Sequence, residues 1–256
     1  MVDFIQLELF LLVLARITAF LVISPIFALK GVPALVKIGL GLLLSLLIFP
    51  GIQPGLEQAS VSAPDFTMKI MREVLMGLTL GFVALLVFNS MVMAGKIMDL
   101  ECGFMMSTLL DPQTGAGVTL LGQFLYVLGL LLFLTLDAHH LLLRLLANSF
   151  RLIPLEAAVF SPELTGQIWK IFIDIFSLAF QIATPLLVVL VTSDLVLSLI
   201  ARSVPQLNVF MIGLPLKAGL GILTLSLLVP FLLTIFSSLL TVMEKDILLV
   251  MQLFRP

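Results

Sequence analysis

Charged residues are scarce in this chain. Only 11% of its 256 residues are Asp, Glu, Lys or Arg, whereas 61% are hydrophobic, and the mean hydropathy is +1.26. Because soluble proteins carry roughly 25% charged residues, this composition excludes a water-soluble monomer. With a net charge of −2, nothing in the composition suggests nucleic acid, so we expect a membrane as surroundings and no nucleic acid as a partner.

Cysteines and catalytic motifs are scarce as well. The single Cys102 excludes an internal disulfide and any site built from several cysteines. The sequence has no P-loop, no dinucleotide-binding glycine pattern, and no HExxH or GxSxG motif, which are the signatures of nucleotide-binding enzymes, metalloproteases and hydrolases. We therefore expect no enzyme activity, no catalytic residue, no cofactor and no metal site.

Long apolar stretches are what the chain has in abundance. A helix that spans a membrane needs ~20 apolar residues, and a strand-like alternation never extends beyond a few residues. The pattern predicts an all-α protein with about six hydrophobic helices of the integral-membrane type. The charge-free windows that predict these helices are residues 17–29, 38–56, 74–95, 112–136, 175–193 and 218–243.

Prolines and glycines predict where these helices end. The sequence at 50–55 ends the second helix, and residues 62–65 are typical of the start of the third. Pro205 and Pro215 predict a tight link between the last two helices, because proline fixes φ and removes a hydrogen-bond donor. We expect these helices to form a hairpin over residues 170–245.

The segment 95–124 does not fit a plain helix or a plain polar loop. It combines helix breakers, methionines and acids between two apolar runs. Broken backbone at membrane depth persists only when it is buried in protein or lines a cavity, so we predict a pore-facing or inter-subunit element. The methionines at 91, 93, 98, 105 and 106 fill core gaps or form a deformable seal.

Two charged constellations are candidate sites. Asp137, His140 and Arg144 share one helix face, which favours a charge network, with a proton relay and a metal or catalytic site as alternatives. The neighbouring His139 and His140 should point about 100° apart on a helix and so should not hold one ion together.

The other constellation is Asp194, Ser198 and Arg202, which recur at four-residue spacing. Inter-subunit pairing and a transport site are both compatible with intramembrane charge. We expect the charges in the two constellations to need partners from other subunits.

A pair of small residues is a further feature of the sequence. The motif Gly77-x-x-x-Gly81 predicts a closely packed helix.

Several stretches of the sequence are more specific than a generic membrane pattern. The most specific is PQLNVF followed by GLPLK, and the others lie at Arg72-Glu73, 76–82, 99–123, 136–150, 179–185 and in the rest of 202–221. Taken together, they resemble the FliR family, the export-gate subunit of bacterial flagellar type III secretion, whose injectisome counterpart is the T-type subunit.

The resemblance implies a structural and gating role rather than an enzyme. FliR-like proteins join FliP- and FliQ-type subunits in a helical export gate, with an FlhB-type subunit associated, and unfolded flagellar proteins pass through its centre. The expected location is the bacterial inner membrane at the flagellar basal body. The resemblance also implies that residues 1–165 are arranged like a FliP subunit and residues 166–256 like a FliQ hairpin.

The resemblance implies that residues 104–118 form a plug that seals the closed pore. The residue types agree, because methionine and phenylalanine give a compliant apolar seal and glycine gives backbone freedom. The plug and gating residues are Phe104, Met105, Met106, Asp111, Pro112, Gly115 and Gly117. The residues assigned to inter-subunit charge and packing are Asp137, His140, Arg144, Asp194 and Arg202. The residues assigned to the hairpin tip and assembly are Pro205, Gln206, Asn208, Phe210, Gly213, Pro215 and Lys217.

The alternative function is a small-solute or ion transporter. Transporters place broken helices and charges near the bilayer midplane, and Asp137 and Asp194 could serve there. Such folds usually contain internal repeats, and we find no convincing one in this sequence. A membrane enzyme ranks third, for want of a catalytic set of residues.

Overall fold

The protein is built from helices. A computed structural model describes residues 2–28, 31–52, 63–105, 119–204, 206 and 208–255, and every regular element in these ranges is helical, which confirms the all-α prediction. The helices are α1 (Val2–Ile23), α2 (Ala34–Ile48), α3 (Ala63–Cys102), α4 (Leu120–Thr135), α5 (Ala138–Leu152), α6 (Pro162–Ser203) and α7 (Val209–Leu253), and a short 3-10 turn, Phe49–Gly51, follows α2.

Three helices are much longer than a membrane span requires. α3 has 40 residues, α6 has 42 and α7 has 45, whereas ~20 residues cross the hydrocarbon core. In the described ranges, five helices are long and apolar enough to cross a membrane: α1, α2 with its 3-10 turn, α3, α6 and α7. Counting α4 and α5 as one broken span gives six, in line with the sequence-based number.

The charge-free windows underestimate the lengths of these helices. The windows 74–95, 175–193 and 218–243 lie inside α3, α6 and α7, because a charged residue with a partner does not end a helix. The segment 95–124 is also less broken than predicted: residues 95–102 continue α3, and residues 120–124 begin α4.

Pro215 lies inside α7, so the prediction that it bounds the link between the last two helices is wrong. α6 ends at Ser203 and α7 begins at Val209, which leaves only residues 204–208 as the connection. Pro185 and Pro230 also lie within helices. Proline is tolerated in apolar helices because neighbouring groups can satisfy the freed carbonyl. Pro205 lies outside the described residues.

Contacts divide the chain into two compact units. The first consists of Met1–Val87, Asp137–Phe172 and Leu240–Pro256, and the second of Phe88–Leu136 and Ile173–Leu239. The first unit therefore holds α1, α2, α5 and parts of α3, α6 and α7.

In the first unit, α1 and α3 pack with their backbones almost touching. A Cβ at Gly81 would lie 2.8 Å from the carbonyl oxygen of Phe20, and one at Gly77 would overlap the carbonyl oxygen of Arg16. Both glycines lie on one face of α3, one turn apart, so together they let the helix axes approach. The close packing predicted from Gly77-x-x-x-Gly81 is confirmed.

This close approach brings a buried ion pair together. Nε of Arg16 donates to Glu73 at 2.5 Å, and neither side chain has any exposed surface. Nη1 of Arg16 also donates to the carbonyl oxygen of Ile153 at 3.1 Å, and the guanidinium lies 4.4 Å from the ring centre of Phe150. The other carboxylate oxygen of Glu73 accepts the N–H of Glu156 at 3.0 Å. One ion pair thus joins α1, α3, the end of α5 and the link that follows it.

A second set of ion pairs surrounds Lys69, which lies one turn before Glu73 on α3. Nζ of Lys69 is 2.8 Å from a carboxylate oxygen of Glu156 and 3.4 Å from one of Glu8. Lys69 precedes Glu73 by four residues, so both face α1. The link after α5 is therefore held through Glu156 at two points, its backbone N–H by Glu73 and its side chain by Lys69.

We expect Gly77→Ala to lower the apparent melting temperature of the purified chain in detergent. The added Cβ meets α1 backbone, and overpacking of this kind costs about 1–3 kcal/mol. Gly39→Ala is the matched control, because a Cβ at this helical glycine meets no atom within 4 Å, and alanine favours the helix. Equal melting temperatures for the two variants would contradict the close packing of α1 on α3.

Candidate functional site

The second unit contains a joint where the end of α3 meets the start of α4. Asp99, in the last turn of α3, has no exposed surface. Its two carboxylate oxygens accept the N–H groups of Leu121 and Gly122, each at 3.0 Å. The residue preceding α4, Thr119, makes no side-chain capping bond. Asp99 therefore caps α4 from another helix and places a negative charge at the positive end of its dipole.

Small residues bring the two helices close enough for this contact. A Cβ at Gly95 would lie 2.5 Å from the Cα of Gly122, so a larger side chain at 95 would force the backbones apart. Gly95 and Asp99 are one turn apart on the same face of α3. Further along, Phe88 packs edge-on against Tyr126 and Phe133, with ring centres 5.9 and 6.2 Å apart. This pairing order makes α3 and α4 antiparallel.

Asp99 also takes part in ending α3. Gly103 has φ +81, the left-handed conformation that commonly ends helices and that glycine adopts without strain. The N–H of Phe104 then donates back to the carbonyl oxygen of Asp99 at 3.1 Å. The backbone carbonyl of Asp99 thus accepts a hydrogen bond at the end of α3, and its carboxylate accepts two at the start of α4.

Lys217 ties the last hairpin to the same joint. Its Nζ lies 2.8 Å from Oδ2 of Asp194 in α6 and 3.8 Å from Oε2 of Glu101 in α3. Next to this pair, a Cβ at Gly213 would lie 3.3 Å from the side chain of Leu197. Because α6 residues 194 and 197 face α7 residues 217 and 213 in reverse order, the two helices are antiparallel. The predicted hairpin is confirmed.

Most of the predicted plug lies outside the described residues. Phe104 and Met105 follow α3 directly and are half-buried, and the other assigned residues of the plug, Met106, Asp111, Pro112, Gly115 and Gly117, fall in the range 106–118 that the structure does not describe. Of the other methionines in the cluster, Met91 and Met98 have no exposed surface, as core packing requires.

The hairpin-tip residues have mixed placements. Gln206 and Asn208 are exposed in the link, and Oδ1 of Asn208 accepts the N–H of Met211 at 3.4 Å. Phe210 belongs to the first turn of α7, and its side chain lies outside the description. Pro205 is outside it as well.

The predicted charge constellations are rearranged. Asp194 pairs with Lys217 of its own chain rather than with Arg202, which is exposed near the end of α6. Asp137 precedes α5 instead of lying within a helix, and it contacts His140 at 3.4 Å, while Arg144 is exposed on α5.

The rings of His139 and His140 have centres 4.1 Å apart, so the expectation that they point away from each other is wrong. Side-chain rotation moves a ring several ångströms from the direction of its Cβ, and backbone directions alone do not fix where it lies.

Sequence reasoning missed the most buried charges, which are Arg16, Glu73 and Asp99. A usable signal was present: Arg16 stands alone between long apolar runs, and a lone charge in such surroundings needs a partner. Which acid pairs with it could not be known, because the two residues are 57 positions apart.

The long apolar helices and the buried polar joints define a helical protein of the membrane type. Residues 7–243 match the family described as "Bacterial export proteins, family 1", and the chain belongs to this family. The resemblance predicted from the sequence is thereby confirmed.

Similar proteins include three called "Flagellar biosynthetic protein FliR". The chain is 39% identical over 221 residues to the one from Bacillus subtilis (strain 168), with 84% of each chain covered. It is 33% identical over 215 residues to the one from Pectobacterium carotovorum subsp. carotovorum, covering 84% of this chain and 82% of the relative. It is 31% identical over 224 residues to the one from Escherichia coli (strain K12), covering 88% and 85%.

We expect Asp99→Asn to loosen the start of α4. The amide keeps one acceptor oxygen but turns an NH₂ group toward the second backbone N–H, and an unsatisfied buried donor costs ~1–3 kcal/mol. Amide hydrogen exchange at residues 120–123 should accelerate, and the melting temperature should fall. Asp174→Asn is the control, because Asp174 is an exposed acid on α6. If both variants exchange like the wild type, Asp99 is not the cap of α4.

Proposed function

We propose that this chain is a structural and gating subunit of the bacterial flagellar type III protein export channel, which passes unfolded flagellar subunits across the inner membrane at the basal body. The observation that carries the proposal is the match to relatives called flagellar biosynthetic protein over 84–88% of this chain. The proposed role requires no catalytic step and no cofactor.

The proposal includes FliP-, FliQ- and FlhB-type partner subunits. Surface composition supports it, because large apolar side chains on α2, α6 and α7 remain uncovered by the chain itself: Leu35 is 82% exposed, Met211 72% and Leu199 64%. These faces need lipid or neighbouring subunits to cover them.

The division into a FliP-like part, 1–165, and a FliQ-like hairpin, 166–256, belongs to the same proposal, and the antiparallel α6–α7 pair is compatible with it.

The transporter alternative loses support at one of its two acids. A coupling site needs a carboxylate that is available to bind and release an ion, whereas the carboxylate of Asp194 is held by Lys217 at 2.8 Å within the chain. The pair instead fits a fixed joint between α6 and α7.

We expect deletion of the gene to abolish secretion of hook and filament proteins, and the wild-type gene to restore it. Secreted proteins are measured in the culture medium, and cellular levels of the same proteins show that synthesis continues. Affinity purification through this chain should recover P- and Q-type subunits. Normal secretion in the deletion strain would contradict the proposal, and so would solute flux through vesicles that contain this chain alone.

The plug over residues 104–118 is part of the proposal. Both of its described flanks are bonded to one residue, since the N–H of Phe104 reaches the carbonyl of Asp99 and the N–H of Leu121 reaches its carboxylate. A plug that is anchored at both ends to Asp99 would open and close without moving α3 or α4.

We expect partial deletion within 106–118 to make cells leaky to ions in the absence of export substrate, with the complex still assembled. The double variant Met105→Ala and Met106→Ala should produce a smaller leak than the deletion, because it only removes apolar volume from the seal. Met71→Ala, at a half-exposed methionine on α3, is the control. Conductance across bilayers that contain the purified complex measures the effect. An assembled deletion complex that conducts no more than the wild type would refute the plug.

A further inference from the structure

We propose that Asp137, His139 and His140 form a binding site for a divalent transition-metal ion such as Zn²⁺. One ligand atom from each side chain lies within 4.8 Å of the other two. Imidazole nitrogen combined with carboxylate oxygen is a ligand set that zinc, nickel and copper accept. The proposal does not depend on the export function.

The distances within the cluster suit a tetrahedral ion. Oδ1 of Asp137 and Nδ1 of His140 are 3.4 Å apart, and two ligands bound to tetrahedral zinc are also separated by about 3.4 Å. The His139 ligand atom, at up to 4.8 Å, needs only a small movement. Asp137 and His140 are 73% and 57% exposed, so their side chains can adjust at low cost.

The carboxylate of Asp137 is not used for the role that its position suggests. Asp at the start of a helix normally accepts an N–H from the first turn through its side chain, yet Asp137 makes no such bond. The N–H of His140 donates instead to the backbone carbonyl of Asp137 at 2.9 Å. Asp137 also has φ 54, a left-handed conformation that Asp adopts more readily than most residues other than glycine.

His139 contributes an imidazole nitrogen in need of a partner. Its Nδ1 is shielded from solvent and has no hydrogen-bond partner in the part of the chain that the structure describes. A shielded nitrogen left unpaired is destabilising, and coordination of a metal ion through Nδ1 would supply the missing partner. The ring centres of His139 and His140 lie 4.1 Å apart with the ring planes tilted by 38°, so both imidazoles lie on the same side of the helix start.

Cobalt absorption provides a direct test, because Co²⁺ substitutes for Zn²⁺ and its visible bands report the ligand geometry. The full chain carries only two histidines, both in this cluster, and it should be purified without a histidine tag. If it is purified with partner subunits, the difference between wild-type and variant complexes isolates this site. We expect one equivalent of Co²⁺ per chain, displaced by Zn²⁺.

Two ligand variants and one control decide whether Asp137 and His140 bind the ion. His140→Gln and Asp137→Asn keep the size and polarity of the side chains but should abolish the stoichiometric cobalt bands. Glu163→Gln, at an exposed acid in the first turn of α6, should bind like the wild type, and unchanged elution in size-exclusion chromatography shows that each variant is folded. The proposal is overturned if the wild type produces no saturable cobalt spectrum, or if His140→Gln retains it.

Discussion

Apolar surroundings provide no water to satisfy a charge, and this constraint governs where charged side chains lie in the protein. The ion pair of Arg16 and Glu73 shows it most clearly, since both side chains are fully buried. Removing one partner of such a pair costs ~3–5 kcal/mol because the other charge stays buried and unpaired. Apolar contacts tolerate a small slide of one helix along another, whereas this pair does not. It therefore fixes the register of α1 on α3 and holds the link after α5.

The same constraint explains the joint in the second unit. Asp99 is buried without a cation at hydrogen-bond distance among the described side chains; its charge is stabilised by two backbone N–H groups at a helix start. Lys217 is shared between an acid of α6 and an acid of α3. The contact of Asp99 sits beside Gly95, which lets the backbones of α3 and α4 approach, and the Lys217–Asp194 pair lies near Gly213, where a Cβ would crowd the side chain of Leu197. Close packing and charge pairing are thus parts of one arrangement, because a hydrogen bond of 3 Å needs the helices to be near each other.

The sequence was sufficient to predict the helices, the close packing at Gly77 and Gly81, and the last hairpin, because each depends on local composition or spacing. It was not sufficient to predict how the charged side chains pair. Arg16 binds Glu73, which is 57 residues away, and Asp99 caps α4 by binding the N–H of Leu121, which is 22 residues away. It also misplaced Pro215, because the rule that proline ends a helix holds in water more strictly than among apolar helices. The close contact between the rings of His139 and His140 depends on side-chain rotation, which spacing along a helix does not encode.

The distribution of charge bears on which side chains are left for contacts with neighbouring subunits. The four buried charged side chains in the described ranges, Glu8, Arg16, Glu73 and Asp99, all have partners within the chain, and Asp194 has Lys217. Each of these side chains therefore has a partner within the chain, and inter-subunit pairing of Asp194 stays a prediction. Beside exposed charged residues, the described ranges leave large apolar faces uncovered, and Leu35 on α2 is the most exposed of their large apolar side chains. Lipid covers such a face as well as protein does, so a specific subunit contact there must come from matching shape and close packing rather than from charge.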